Sequence, residues 1–301
     1  MASSNLYTNQ DSNVRKTWLL MTTFLVLVIG LGWAISYIYN SQMILYVAVI
    51  FAVFMNFFSY WYSDKIVLSL HKAKAVTRAE YFDLWNIVEN LSITAGLPMP
   101  KVYVVTDPSP NAFATGRNKE HAVVCVTTGL LEILDKTELE GVIAHELSHI
   151  GNRDILISTV VVVLAGFVSI LADFFIRSTW FRGGRDDNRN GGNVLMIVGI
   201  VLAILAPIFA TLIKLAISRK REFLADSSGA LLTRYPEGLA SALRKISASS
   251  QPLKTAHAAD AHLFISNPFG KKGKRSFFSS LFMTHPPVED RIEALLGEEV
   301  R

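Results

Sequence analysis

Between Thr17 and Ser63 the chain carries no Asp, Glu, Lys or Arg. A run of that length exceeds a buried core helix and suffices for two membrane spans of about 20 residues each. The polar break Tyr39-Asn40-Ser41-Gln42 divides it into a hairpin. A second apolar pair follows at Ile155 to Ile176 and Val194 to Ile217. The pattern predicts an integral membrane protein with four hydrophobic membrane helices. The first segment reads as a retained anchor: no small-x-small cleavage site closes it, and a second span follows directly.

Around these segments the pattern is that of a folded domain. Residues 1–16 form a polar tail, 17–63 the transmembrane hairpin, and 64–154 the first part of the domain. Residues 155–217 hold the second apolar pair around an Arg/Gly-rich loop, 177–192, and 218–301 complete the domain. Thr77-Arg78-Ala79-Glu80 fits a capping box opening a helix with Leu84, Ile87, Val88, Leu91 and Ala95 on one face, stopped at Gly96. Lys101 to Thr106, Asn111 to Gly116 and His121 to Thr128 read as short strands of a small sheet. An edge strand over Asn111, Ala112, Phe113 and Ala114 could hold an extended peptide by strand addition; an ordinary hairpin is the other reading. Pro236 opens a helix to about Ser249, and Gly297 ends a short one containing Arg291.

The chemistry lies in Gly141 to Asp154, GVIAHELSHIGNRD. Thr137-x-x-Glu140 fits a capping box, and Leu139, Val142, Ile143, Leu147 and Ile150 supply an apolar helical face. On a helix, positions four apart stack, so His145 and His149 can reach one metal ion. Glu146, beside them, is placed to polarise a water on that metal, the spacing zinc peptidases use. A catalytic zinc needs a third protein ligand. Glu222 is the best candidate, with Asp226 one turn on to accept the N–H of a ligand histidine. The competing reading pairs Glu222 with one of the arginines at 219 and 221. Only about five residues separate His149 from membrane-like sequence, so the site lies near the bilayer surface.

His145-Glu146-Leu147-Ser148-His149, followed by Asn152 and Asp154 and then Glu222-x-x-x-Asp226, resembles the M48 family of membrane zinc metalloproteases. The resemblance extends over the N-terminal hairpin, the Asn111–Ala114 segment, the second apolar pair and the closing His285-Pro286. It implies an α+β membrane protein with a mainly helical, gluzincin-like (zincin-type) domain and one Zn2+ per chain. It implies His145, His149 and Glu222 as ligands, Glu146 as general base, Asp226 behind the site, and His285 near it. His285 is then either a donor to the developing oxyanion or a capping residue. Asn152 and Asp154 support the end of the metal helix, and Arg291 is a structural ion-pair partner. The family role is cleavage of damaged or misassembled membrane proteins on the cytoplasmic side of the bacterial inner membrane, as stress-response quality control. Latency and self-cleavage are further expectations of that resemblance.

Charge refines this picture. The net charge of +4 could suggest nucleic acid, but Lys65, Lys72, Lys74, Arg78 and Arg219 to Arg221 flank apolar segments. Positive cytoplasmic flanks explain them without nucleic acid, and they put both ends of the first hairpin in the cytoplasm. The loop arginines Arg177, Arg182, Arg185 and Arg189 run against that rule if the second pair spans fully. The partners expected are membrane-protein or unfolded polypeptide substrates and the lipid bilayer. The lone Cys125 excludes an internal disulfide and a thiolate metal site. Two other functions compete with a protease. A metal-handling transporter would place its ionisable residues inside the spans, where only Asp173 and Lys214 lie. An inactive membrane scaffold would require a degenerate motif.

Overall fold

A computed structural model describes residues 6–181, 219–249, 251–256, 260–269 and 286–297. The predicted helix over Val194 to Ile217, the loop beyond residue 181, Lys214 and His285 lie outside the described residues, as does the side chain of Asp173.

The hairpin is α1 (Leu6–Tyr39) and α2 (Gln42–Trp61), joined at Asn40, whose φ of 47° makes the turn. Both helices are long and apolar enough to cross a membrane. Helix α1 begins well before the apolar run, so the polar stretch expected as a tail is helical from Leu6 onward. Helix α3 (Ser63–Leu70) continues from α2, and β1 (Lys74–Ala75) follows.

The first domain helix, α4 (Phe82–Ala95), starts later than the sequence pattern suggests. Glu80 does accept from the Thr77 N–H at 2.8 Å, but this closes a turn ahead of the helix, whose N-cap is Tyr81. Gly96 ends α4 at φ 64°, the left-handed conformation a glycine tolerates.

Strands β2 (Lys101–Val105), β3 (Ala112–Thr115) and β4 (Val123–Thr127) join β1 in a mixed sheet of order β1-β2-β4-β3. The central pair β2/β4 is parallel, and β3 lies antiparallel to β4 with Ala114 opposite Val124. Both faces of β4 are covered, which is why its sequence is apolar throughout rather than alternating. Val124 and Val126 join a core with α4 and the later domain helices. Val123 and Cys125 pack the other way, toward Val67, Phe113 and Phe264.

After α5 (Thr128–Ile133) comes α6 (Lys136–Gly151), which carries the histidines. Its capping box is Asp135 with Glu138, two residues earlier than Thr137/Glu140. The Asp135 carboxylate accepts from Glu138 N–H at 3.0 Å, and Glu138 accepts from Asp135 N–H at 2.9 Å. Glu138 also takes Lys245 and Ser241, each at 2.6 Å, tying α6 to a later helix.

Helix α7 (Asp154–Phe181) leaves α6 at an angle of 84°. Its first turns pack Ile157, Val160, Val161 and Leu164 against Leu20, Met21 and Phe24 of α1. Thus the third apolar segment begins as a helix buried against the hairpin. Among the described residues two helices meet the length and composition of a span, or three if α6 and α7 count as one broken span. The other α-helices among the described residues are α8 (Arg219–Thr233), α9 (Pro236–Ala248) and α10 (Val288–Leu296).

Candidate metal centre

Helix α6 presents His145, Glu146 and His149 to a buried cavity. Helix α8 brings Glu222 to the same point, crossing α6 at Gly229. A Cβ there would lie 3.0 Å from the His145 backbone nitrogen, so the close crossing depends on glycine. Nε2 of His145 and Nε2 of His149 are 3.2 Å apart. Glu222 Oε2 is 4.0 Å from the first, and its Oε1 is 3.6 Å from the second. Four tetrahedral donors about 2.0–2.1 Å from zinc would be about 3.3–3.4 Å apart, so the three groups are spaced to hold one such ion.

The outer nitrogens reinforce this fit. Nδ1 of His145 lies 2.9 Å from Asp226 Oδ1, and Nδ1 of His149 lies 3.0 Å from Asp154 Oδ2. A carboxylate beside each Nδ1 turns both Nε2 atoms toward one another, next to a third carboxylate. That convergence calls for positive charge between the donors, a proton on His149 or a metal ion. His149 registers the same demand. Burial opposes its charge, yet the Asp154 hydrogen bond and the Glu222 carboxylate raise its pKa to about 9. Burial prevails for His145 and lowers its pKa.

Glu146 is 1% exposed, and neither carboxylate oxygen has a hydrogen bond of normal geometry. Burial, reinforced by repulsion from Glu222 and opposed by His149, lifts its pKa to about 7. The Ala114 backbone amide faces it and weakly opposes the rise. The cavity is about 30 Å³, lined by these residues with Ala114, Ser158 and Leu263 among others. It has room for a water or two.

Asp226 is held in turn by Arg291, a buried guanidinium on α10. Nε donates to Oδ2 at 2.8 Å and Nη2 to Oδ1 at 2.7 Å. Nη1 donates to the Ile265 carbonyl at 3.0 Å. Asn152 is the C-cap of α6, its N–H bonded to the Ile150 and Ser148 carbonyls.

The four residues assigned to substrate contact separate. Asn111 donates from Nδ2 to the Ser266 carbonyl at 3.1 Å and so fastens a neighbouring segment. Phe113 turns into the core against Phe264 and His71. The Ala112 carbonyl, on the outer edge of β3, accepts from Ile265 N–H at 3.0 Å. By the two-residue alternation of a strand, the N–H and C=O of Ala114 point the same outward way, and Ala114 alone of the four lines the cavity.

Two supporting residues carry no signal in the motif. Asn13, far off in α1, donates to Asp154 Oδ1 at 2.6 Å, and Arg221 lies 3.4 Å from the same oxygen. A polar side chain just ahead of an apolar run reads as solvated tail; only the docking of α1 on α7 brings it here.

The family model for peptidase family M48 matches residues 79–299. This chain belongs to peptidase family M48. A protein described as "Protease HtpX homolog" from Caldanaerobacter subterraneus subsp. tengcongensis is 47% identical over 301 residues, covering 98% of each chain. One so described from Pyrococcus furiosus is 52% identical over 283 residues, covering 93% of this chain and 94% of its own. The crystal structure of S. mikatae Ste24p covers 96% of this chain and 67% of its own, at TM-score 0.52 and 18% identity, and shares the fold. The chain is thus a metallopeptidase, and the His145/His149/Glu222 cluster is where its residues can hold the metal.

Proposed function

We propose that this chain is a zinc-dependent endopeptidase of the bacterial plasma membrane. It cleaves misfolded or damaged membrane proteins, and other unfolded polypeptide, at the cytoplasmic face. The observation that carries the reading is the convergence of three donor atoms around a point beside the buried Glu146 carboxylate, which makes no hydrogen bond of normal geometry.

His145, His149 and Glu222 hold the zinc, and Asp226 and Asp154 fix the two imidazoles with Nε2 inward. Zinc, when bound, supplies Lewis-acid polarisation of the scissile carbonyl and acidifies its water. Glu146 takes the proton of the attacking water and returns it to the departing amine. Burial raises its pKa above the ordinary carboxylate value, which favours a group that can both take and return a proton. The outward N–H and C=O of Ala114 hold the substrate main chain by strand addition, which selects extended and unfolded polypeptide over folded surfaces.

Support for the cytoplasmic side comes from Lys65, Lys72 and Lys74 after α2. The start of α1 lies on the same side, since Asn13 contacts the end of α6. A site at that depth meets the loops of membrane proteins first, and the role in stress-response quality control rests on that proximity. The lipid bilayer is a partner in this reading and nucleic acid is not.

The test is Glu146→Gln on the full chain in detergent or nanodiscs. Metal content should stay at one equivalent while cleavage of an unfolded model substrate falls about 10²–10⁴-fold. Cleavage at the wild-type rate would remove Glu146 from the mechanism. Glu222→Ala should lose the metal; retention of a full equivalent would move the third ligand elsewhere.

A further inference from the structure

Asp154 has two oxygens with different duties. Oδ2 takes the Nδ1 proton of His149 at 3.0 Å. Oδ1 takes the side-chain amide of Asn13 at 2.6 Å. The same amide donates to the Asn152 carbonyl at 3.0 Å. That carbonyl stands in the bend between α6 and α7, so one NH2 group spans the bend and the carboxylate together. Asn13 is 3% exposed. Its own backbone carbonyl accepts from Thr17 Oγ1 at 2.9 Å, within α1. Arg221 approaches Oδ1 as well, at 3.4 Å, and is the weaker of the two contacts by distance.

A carboxylate can rotate about its terminal torsion, which is broad and nearly two-fold. Without Asn13, Oδ1 keeps only the longer Arg221 contact, and Asp154 is freer to turn Oδ2 away from His149 and closer to that guanidinium. A short hydrogen bond to the other oxygen removes that freedom. The buried Asn13 amide therefore sets the plane of Asp154, which sets the ring of His149.

We propose that Asn13, on the N-terminal helix that becomes the first apolar span, is a positioning residue of the metal centre: it orients the Asp154 carboxylate that fixes His149. This rests on His149 being a ligand, as proposed above. It follows that the metal centre is not a property of the protease domain alone. The helix that anchors the chain supplies one of its supports, and moving α1 away from α7 loosens a ligand without touching α6.

The experiment measures metal affinity of the full chain by competition with a chromophoric chelator, and the visible spectrum of the cobalt form. The variants are Asn13→Leu and Asn13→Val, apolar side chains near its size that offer no donor. Outer contacts to metal ligands typically carry 10–100-fold in affinity, so each variant should bind zinc at least tenfold more weakly and shift the cobalt bands. In an Asp154→Ala background, Asn13→Leu should weaken binding no further, because the carboxylate it acts through is gone. Wild-type affinity and spectrum in either variant would overturn the proposal. So would an equal loss in the Asp154→Ala background, which would mark a general packing role. Glu222→Ala run in parallel separates the two ideas: if it keeps a full equivalent of zinc, the ligand set is wrong irrespective of the Asn13 result.

Discussion

Replacing Arg291 by methionine probes stability and site together. Its guanidinium is 1% exposed and spends three N–H groups, two on Asp226 and one on the Ile265 carbonyl. Burial raises the Asp226 pKa, but the two Arg291 hydrogen bonds and the His145 contact outweigh it and hold the carboxyl below its ordinary range. Methionine fills the volume and leaves Asp226 charged and half-partnered in the core. Breaking a buried pair from one side costs about 3–5 kcal/mol. At about 2–4 °C per kcal/mol for a domain of this size, the Tm should fall by roughly 6–20 °C. Zinc affinity should fall as well, because Asp226 is then free to turn away from His145. Since the folded Asp226 pKa is depressed, its contribution is present above the ordinary carboxylate pKa and lost as pH falls through the folded value. The gap in Tm between wild type and variant should therefore close in acid. The double variant Arg291→Met/Asp226→Leu should regain much of the Tm but not the zinc affinity. A thermal scan in detergent with a parallel metal titration measures all of this. A single-variant Tm within about 2 °C of wild type would show that the pair is not the buried anchor described here.

Two further outcomes follow from the same contacts. In the metal-free protein His149 holds its proton up to about pH 9. Its stabilising charge is thus fully present below its ordinary pKa of 6.5 and lost as pH rises through 9. Zinc must displace that proton, so the apparent Kd should tighten about tenfold per pH unit from 7 to 9 and then level off; a pH-independent Kd across that range would contradict it. Gly141→Ala places a Cβ 2.7 Å from the Leu239 nitrogen on α9. The two backbones must separate, at a cost of about 1–3 kcal/mol, and a chemical or thermal melt showing no loss would mean α6 and α9 are less closely packed.

The elements that could be read from the residues are those set by local spacing. Two histidines four apart on a helix with an apolar face leave little freedom, and the strands of β-branched residues at 101–105 and 123–127 appear where expected. The helix starts were harder. Asp135/Glu138 and Thr137/Glu140 satisfy the same four-residue pattern. The choice falls to Asp135 because α5 closes with Leu134 N–H on the Leu130 carbonyl, so the chain is already extended there. Spacing alone leaves Glu222 open to a metal or to an arginine. The fold sends Arg221 to Asp154 and brings Glu222 to the histidines. The parallel pairing of β2 with β4, and the arrival of Asn13 across 139 residues of sequence, depend on long-range packing that no local pattern encodes.

The bend after α6 shows why this matters for chemistry. Asp154 stands five residues after His149. Had the helix run straight into the apolar segment, five steps of 100° would leave the two side chains about 140° apart around the axis. Asp154 could then not reach Nδ1. The chain instead breaks at Asn152 and Arg153, the latter at φ 58°, and restarts at 84° with Asp154 as the first residue of α7. The break returns the carboxylate to the histidine it supports. It also lays the first turns of α7 against α1, the contact that delivers Asn13. A single irregularity of two residues thus creates both the orienting carboxylate and its own support. A substitution that straightened this joint would disable the metal centre while leaving every residue of the H-E-x-x-H motif in place.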